Sequence, residues 1–182
     1  MGRINPIKNI HLLIEAINQL SENIKSSYIL LIVGEAILDY EKTYLDELIN
    51  LVNKLNLTRN VKFLGGIYGK QKEQILAESF CTVLPSQSEN FGNVVLESLC
   101  QATPVIVSKN TPWQIIDKYK AGFYIVANIE NIKNAILSLI NLPKAEYSKM
   151  QENALLLAKS EFNINEKIDI WYNFYNSVLR DK

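Results

Sequence analysis

The sequence is poor in cysteine and arginine and has no long apolar run. Its 182 residues include two cysteines, Cys81 and Cys100, whose spacing fits neither a metal site nor the dense disulfides of a small secreted domain. Both lie in apolar segments, so we expect two reduced, buried thiols. No apolar stretch approaches the ~20 residues of a membrane span, and the first residues lack a signal peptide's apolar core. We therefore expect a cytoplasmic protein, with peripheral membrane contact left open.

Neither positive nor negative charge is in excess. Nineteen basic residues balance nineteen acidic ones, which argues against a nucleic-acid partner. Arginine occurs only at positions 3, 59 and 180. Because it is rare here, an arginine in a loop is stronger evidence of a functional role than a lysine. Hydrophobic residues make up 48% of the chain and charged residues 21%, as in ordinary soluble domains. The length suits a single domain over residues 1–182.

Short apolar segments alternate with amphipathic ones along the chain. Apolar runs predict strands at residues 28–33, 61–64, 80–84, 104–107 and 122–126. Helical spacing predicts helices at residues 9–20, 44–57, 70–79, 93–101 and 112–119, and then at 129–140, 144–159 and 165–179. This order predicts an α/β fold, a doubly wound, Rossmann-like parallel sheet with extra helices at the carboxyl end. Gly2-Arg3 has the character of an exit from a strand, so we expect one further strand before it, outside this sequence.

Glycine and polar residues follow the predicted strands. Gly34 and Gly65 end two of them, and residues 85–91 and 108–112 follow two others. Because parallel strands end at one edge, and open α/β sheets bind ligands there, we expect the binding site at this edge.

Residues 85–98 are the most informative segment. Glu89 lies in the loop before a predicted helix and Glu97 lies inside that helix, with Gly92 between them. The start of a helix binds phosphate well, a glycine lets the backbone approach a ligand, and carboxylates accept hydrogen bonds from hydroxyls. A nucleoside diphosphate sugar has a phosphate centre and hydroxyls at both ends, and it fits this layout.

The same segment resembles the Glu-x7-Glu motif of glycosyltransferase family 4, a group of retaining, two-domain enzymes of the GT-B kind. The resemblance covers almost the whole chain. Its other parts are the Gly-Arg-…-Lys element at residues 2–8, the strand and glycine at 32–34, the strand and loop at 61–65, and the segments 103–108 and 111–113 with Gly122. The resemblance implies the carboxy-terminal, donor-binding half of such an enzyme. The acceptor-binding half would be a separate amino-terminal domain that these residues do not contain.

The resemblance also implies roles for individual residues. Glu89 would contact the donor sugar, and Arg3 and Lys8 would neutralise the diphosphate leaving group. Because these cations would do that work, no metal and no other cofactor is expected. The remaining donor-binding residues are expected to be Glu97 on the ribose, and Asn90, Phe91, Gly92, Gly34, Gly65 and Ser86 around the sugar, diphosphate and base.

The chain departs from the family pattern in places, and other interpretations remain open. Asn9 stands where the family usually has glycine, which puts the shape of that loop in doubt. A half of a sugar-nucleotide epimerase, or a non-catalytic partner module, would share this architecture. A nicotinamide dehydrogenase is disfavoured because no Gly-x-Gly-x-x-Gly follows a first strand. His11, the one histidine, is interpreted as structural.

The last predicted helix has an aromatic stripe formed by Trp171, Tyr172, Phe174 and Tyr175. Core packing is the ordinary explanation of such a stripe. In two-domain GT-B enzymes the last helices cross towards the other domain, so we hypothesise that part of this face is exposed here.

Overall fold

The computed structural model describes the backbone of residues 1–180, and the side-chain surroundings of the same residues except 164–167, 170 and 180. The first regular element is a turn of 3₁₀ helix at Pro6–Lys8. Strands β1 to β5 span Leu30–Val33, Val61–Gly65, Thr82–Leu84, Val105–Ser108 and Gly122–Ile125. Helices α1 to α9 span Ile10–Asn18, Glu22–Ser27, Asp39–Lys54, Gly69–Glu78, Asn93–Cys100, Ile115–Tyr119, Ile129–Ile140, Lys144–Phe162 and Ile164–Arg180.

The α/β order agrees with the alternation in the sequence. Two differences occur early in the chain, where α2 was not predicted and α3 begins five residues before the expected position. The residues of α2 are mostly polar and have no apolar stripe to reveal a helix. The start of α3 is set by Glu41, whose Oε2 accepts hydrogen bonds from the backbone N–H groups of Ile37 at 3.0 Å and Leu38 at 3.2 Å. A glutamate in the first turn thus satisfies donors that precede the helix.

Every strand pair is parallel, which confirms the predicted fold class. However, the strands form two sheets and not the single sheet that was expected. Strand β1 pairs with β2, and β4 lies between β3 and β5. The described residues place no strand between β1 and β3, so the sheet is interrupted there.

The core consists of three groups of buried side chains. One lies between the β3–β5 sheet, α5 and α8 and includes Trp113, which is 1% exposed. The second lies under α3, and the third lies between α1, α7 and the face of β4. No helix in residues 1–180 is long and apolar enough to cross a membrane.

The prediction that both cysteines are buried was wrong for one of them. Cys81 is partly buried, whereas Cys100, the last residue of α5, is exposed. Burial raises the pKa of the Cys81 thiol to about 12. Both thiols are free.

Candidate functional site

The loop between β3 and α5 is held in a fixed shape by one buried aromatic ring. Trp113 donates a hydrogen bond from its indole N–H to the carbonyl of Phe91, and the two rings pack with their centroids 5.1 Å apart. Gly92 follows with φ of +82°, and a Cβ placed there would lie 3.1 Å from the Leu84 side chain. Glycine is therefore the residue that this turn requires. Among the described residues no side chain caps α5. Val95 donates its N–H to the Gly92 carbonyl, so the backbone N–H groups before Val95 are the ones that can bind a ligand.

Glu89 lies at the centre of a polar cluster in this loop. Its Oε1 accepts hydrogen bonds from Lys8 Nζ at 2.5 Å and from Ser86 Oγ at 2.6 Å. The Glu89 side chain is 10% exposed and that of Lys8 is 23% exposed, so this ion pair is largely withdrawn from water. Glu89 is thus not a solvated loop acid, the ordinary alternative for such a residue.

The loop that contains Lys8 is attached to the β3–α5 loop by backbone contacts. Gln87 donates its N–H to the Ile7 carbonyl at 2.7 Å, and Asn9 Nδ2 donates to the Pro85 carbonyl at 3.1 Å. Asn9 itself has a left-handed backbone, with φ of +51°. Asparagine tolerates this conformation better than most residues. Asn9 therefore provides the backbone shape that glycine would have given, and adds a side-chain bond to the neighbouring loop.

Glu97 lies one turn after the start of α5. It is paired with Lys72, which the sequence analysis missed. Lys72 Nζ lies 2.8 Å from Glu97 Oε1 and 2.6 Å from Oε2. Oε2 is buried and has no aligned hydrogen-bond donor among the described residues, although Lys72 provides the opposite charge. Lys72 stands on α4, directly after the loop that follows β2. One clue to the role of Lys72 was present in the sequence: the loop before it was expected to lie at the edge of the sheet where ligands bind.

The cations of the two ion pairs, Lys8 and Lys72, both lie near the amino group of Met1. Burial first, and then the nearby charges of Lys72 and Lys8, lower the pKa of the Met1 amino group to about 6, while Glu97 acts in the opposite direction. Both lysines and Glu97 therefore lie near the amino group of Met1, which is partly buried. This arrangement brings the Glu89 and Glu97 clusters to one side of the molecule.

Arg3 forms its ion pair with a residue outside these clusters. Its Nε lies 3.2 Å from Glu41 Oε1, and its side chain is 57% exposed. Glu41 is fully buried and also accepts a hydrogen bond from Asn5 Nδ2 at 2.9 Å. These partners, with the Asn5 bond foremost, lower the pKa of the Glu41 carboxyl. The diphosphate role of Arg3 stays a prediction, and Glu41 is a structural anchor that was not predicted.

The remaining predicted residues also lie at the carboxyl ends of the strands. Gly34 donates its N–H to the Gly65 carbonyl at 2.8 Å, which joins the loops after β1 and β2. Tyr68 donates its hydroxyl to Glu35 at 3.1 Å in the same pair of loops. Asn90 is exposed at the tip of the β3–α5 loop. His11 bonds the Tyr44 hydroxyl at 3.0 Å, in agreement with a structural role.

Comparison with known proteins identifies the family. A family model described as glycosyl transferases group 1 matches residues 1–156. The chain belongs to this family. A curated relative, D-inositol 3-phosphate glycosyltransferase of Actinosynnema mirum, is 32% identical over 111 residues, which are 59% of this chain and 26% of that protein.

Solved GT-B glycosyltransferases have the same fold. Anabaena HepE in complex with UDP superposes with a TM-score of 0.85 at 25% identity, over 97% of this chain and 48% of that one. Sucrose-phosphate synthase of Thermosynechococcus elongatus gives a TM-score of 0.86 at 22% identity, over 100% of this chain and 45% of that one. The chain thus spans about half of the length of these structures and about a quarter of the curated relative.

Proposed function

We propose that the carboxyl edge of the sheets binds a nucleoside diphosphate sugar, and that the protein containing this domain transfers the sugar to a glycan, lipid or small-molecule acceptor with retention of configuration. The observation that carries the proposal is the Lys8–Glu89–Ser86 cluster beside the uncapped start of α5. It combines a cation, a carboxylate and free backbone N–H groups, which suit a sugar phosphate. Structures of a similar protein, Anabaena HepE, contain UDP and UDP-glucose.

The proposed roles follow from the placement of each group. Lys8 is the cation nearest the sugar-binding carboxylate, so it would move from Glu89 towards the diphosphate and stabilise the charge that develops on the leaving group. Glu89 would then be free to accept hydrogen bonds from the donor sugar. Ser86 stays bonded to Glu89 and keeps the carboxylate in position. The backbone of Asn90, Phe91 and Gly92 would face the sugar and diphosphate.

Glu97 is the proposed ligand of the ribose hydroxyls. The Glu97 side chain is 40% exposed, so its carboxylate can accept hydrogen bonds from ribose hydroxyls beside Lys72. Lys72 holds the carboxylate in position through the ion pair until the nucleotide arrives. Gly34 and Gly65 would line the space for the base. Arg3 would reach the diphosphate only by leaving Glu41, so Lys8 is expected to contribute more to binding. With lysines as the counter-charges, we propose that donor binding needs no metal ion.

Titration of the purified chain with UDP, GDP and ADP, with and without magnesium, tests this proposal. Binding of one nucleotide without metal, weakened at least about tenfold by Glu97→Ala, is the expected result. Glu152→Ala is the matched control, because Glu152 forms an exposed ion pair with Lys149 on α8. If Glu97→Ala and Glu152→Ala bind the nucleotide with equal affinity, Glu97 is not part of the site. A strict need for magnesium would contradict the role given to the lysines.

A further inference from the structure

The aromatic contact that holds the β3–α5 loop has a third member at the end of α8. Phe162 is the last residue of that helix. Its ring packs on Trp113 with the centroids 5.2 Å apart and on Phe91 with the centroids 5.7 Å apart. Because Phe91 and Trp113 also touch each other, each of these three rings contacts the other two. This aromatic triad joins the loop before α5 to the end of α8.

The last turn of α8 is anchored to α6 beside the triad. Tyr119 of α6 donates its hydroxyl to Glu161 Oε1 at 2.6 Å, and Ser160 Oγ donates to the Tyr119 hydroxyl at 3.0 Å. One turn earlier, Leu157 is fully buried in the core group that includes Trp113. Phe162 therefore meets the β3–α5 loop from a helix that is itself held in place.

The triad acts on backbone groups at the proposed donor site. Trp113 donates its indole N–H to the Phe91 carbonyl, and Gly92 follows directly with φ of +82°. Val95 donates its N–H to the Gly92 carbonyl, so the turn at Gly92 directs the free N–H groups at the start of α5. Aromatic rings prefer defined mutual orientations, which aliphatic contacts do not impose. The Phe162 ring thus limits how far Trp113 and the Phe91 carbonyl can turn.

We propose that Phe162 is a positioning residue of the donor site, whose ring holds the start of α5, through Trp113 and Phe91, in the orientation that binds a diphosphate. Phe162 needs no contact of its own with the nucleotide. It lies beyond residues 1–156, the part of the chain that matches the family, so the contribution comes from the last helices. The inference rests on the proposed function for the identity of the ligand.

Two variants of α8 test this inference. Phe162→Leu removes the ring and keeps an apolar side chain of similar size. Tyr147→Leu is the matched control, because Tyr147 lies in the first turn of the same helix, ~22 Å from Phe162. Its ring also stacks on another ring, that of Phe80, with the centroids 4.8 Å apart. Both variants therefore lose one aromatic contact of α8, but only Phe162→Leu loses it at the donor loop.

Hydrogen exchange and affinity are measured on each variant. Exchange of the Trp113 indole N–H reports the bond to Phe91, and its signal has to be distinguished from that of one other tryptophan, Trp171. The amide of Ile106, in the centre of the β3–β5 sheet, reports whether the protein remains folded. Affinity is measured for UDP, GDP and ADP, and then for the nucleoside of whichever nucleotide the unmodified chain binds.

Phe162→Leu is expected to speed exchange of the Trp113 indole N–H by about tenfold or more while Ile106 stays protected. It should weaken binding of the nucleoside diphosphate by about three- to tenfold, and binding of the nucleoside should change little, because the displaced groups face the phosphates. Tyr147→Leu should match the unmodified chain in all three quantities.

The inference is overturned if Phe162→Leu leaves either the indole exchange or the diphosphate affinity unchanged, or if Tyr147→Leu changes them equally. An equal loss of nucleoside and diphosphate affinity would also overturn it, because the effect would then not arise at the phosphates. If the unmodified chain binds none of the three nucleotides, the donor proposal fails instead, and the indole exchange rates still decide whether Phe162 holds the loop.

Discussion

Lys8 is the residue on which the proposed chemistry depends most. Its ammonium forms a short ion pair with Glu89, which lies in the loop that leads into α5. Lys8→Ala is expected to weaken binding of a nucleoside diphosphate by ten- to a hundredfold, because charge-assisted bonds contribute about 1.5–3 kcal/mol. Binding of the corresponding nucleoside, which has no phosphate, should change little. Calorimetric titration of both ligands checks the difference.

Lys149→Ala serves as the control for that experiment. Lys149 is 69% exposed in its pair with Glu152 on α8, so its loss removes the same charge far from the proposed chemistry. If both lysine variants lose affinity equally, the effect comes from net charge, and the specific role of Lys8 is wrong.

Glu41 gives the protein a pH-dependent stability. Its pKa is lowered from 4.5 in the folded state, first by the Asn5 bond and also by the Ile37 and Leu38 amides and by Arg3. The folded protein then binds fewer protons at this site than the unfolded chain, so the stabilisation is present above pH 4.5 and is lost as the pH falls through the folded pKa. Glu41→Gln should flatten the dependence of the unfolding free energy on pH in this acidic range. Denaturant unfolding at several pH values measures it, and an unchanged slope would contradict the assignment.

At the scale of elements, the turn into α5 is the feature that positions the site. Gly92→Ala places a Cβ near Leu84 and forces an alanine to adopt φ of +82°. It should cost about 1 kcal/mol or more of stability and weaken nucleotide binding as well, because the N–H groups of α5 shift. Thermal melts and titration measure the two effects.

Gly69→Ala is the comparison for the turn. Gly69 has φ of +56°, but a Cβ there meets nothing within 4 Å. Gly69→Ala should therefore cost stability by its backbone alone and leave binding unchanged. A loss of binding in Gly69→Ala as large as in Gly92→Ala would mean that the effect does not arise at the α5 turn.

The elements show why part of the structure was predictable from sequence and part was not. The buried strands and the apolar stripe of α7 have strong local patterns, and α7 has the predicted bounds, residues 129–140. The start of α3 depends on the Glu41 carboxylate reaching back to the backbone, and Lys72 meets Glu97 only after folding. The role of Arg3 was inferred from the family resemblance, whereas its partner in the structure is the buried carboxylate of Glu41.

At the scale of the molecule, the described part of α9 exposes a large aromatic surface. Trp171, Tyr172, Phe174 and Tyr175 are 56–67% exposed, as the hypothesis of an interface with another domain requires. A surface of this kind promotes association. Replacing Trp171 and Phe174 by serine should reduce concentration-dependent self-association without lowering the melting temperature. Light scattering and thermal melts measure the two quantities, and a large loss of stability would show that the rings belong to the core of this domain.

The proposed donor site makes one claim about the whole molecule, that the nucleotide lies across the carboxyl edge from Glu97 to Glu89. Backbone amide chemical shifts, recorded as the preferred nucleotide is added, locate it residue by residue. The largest changes are expected at the amides of residues 89–94 and of Lys8, Gly34 and Gly65, with almost none along α8, and Lys8→Ala should remove the changes at residues 92–94. Saturable changes confined to another surface, or changes at the α5 turn that persist in Lys8→Ala, would contradict the assignment of this edge as the donor site.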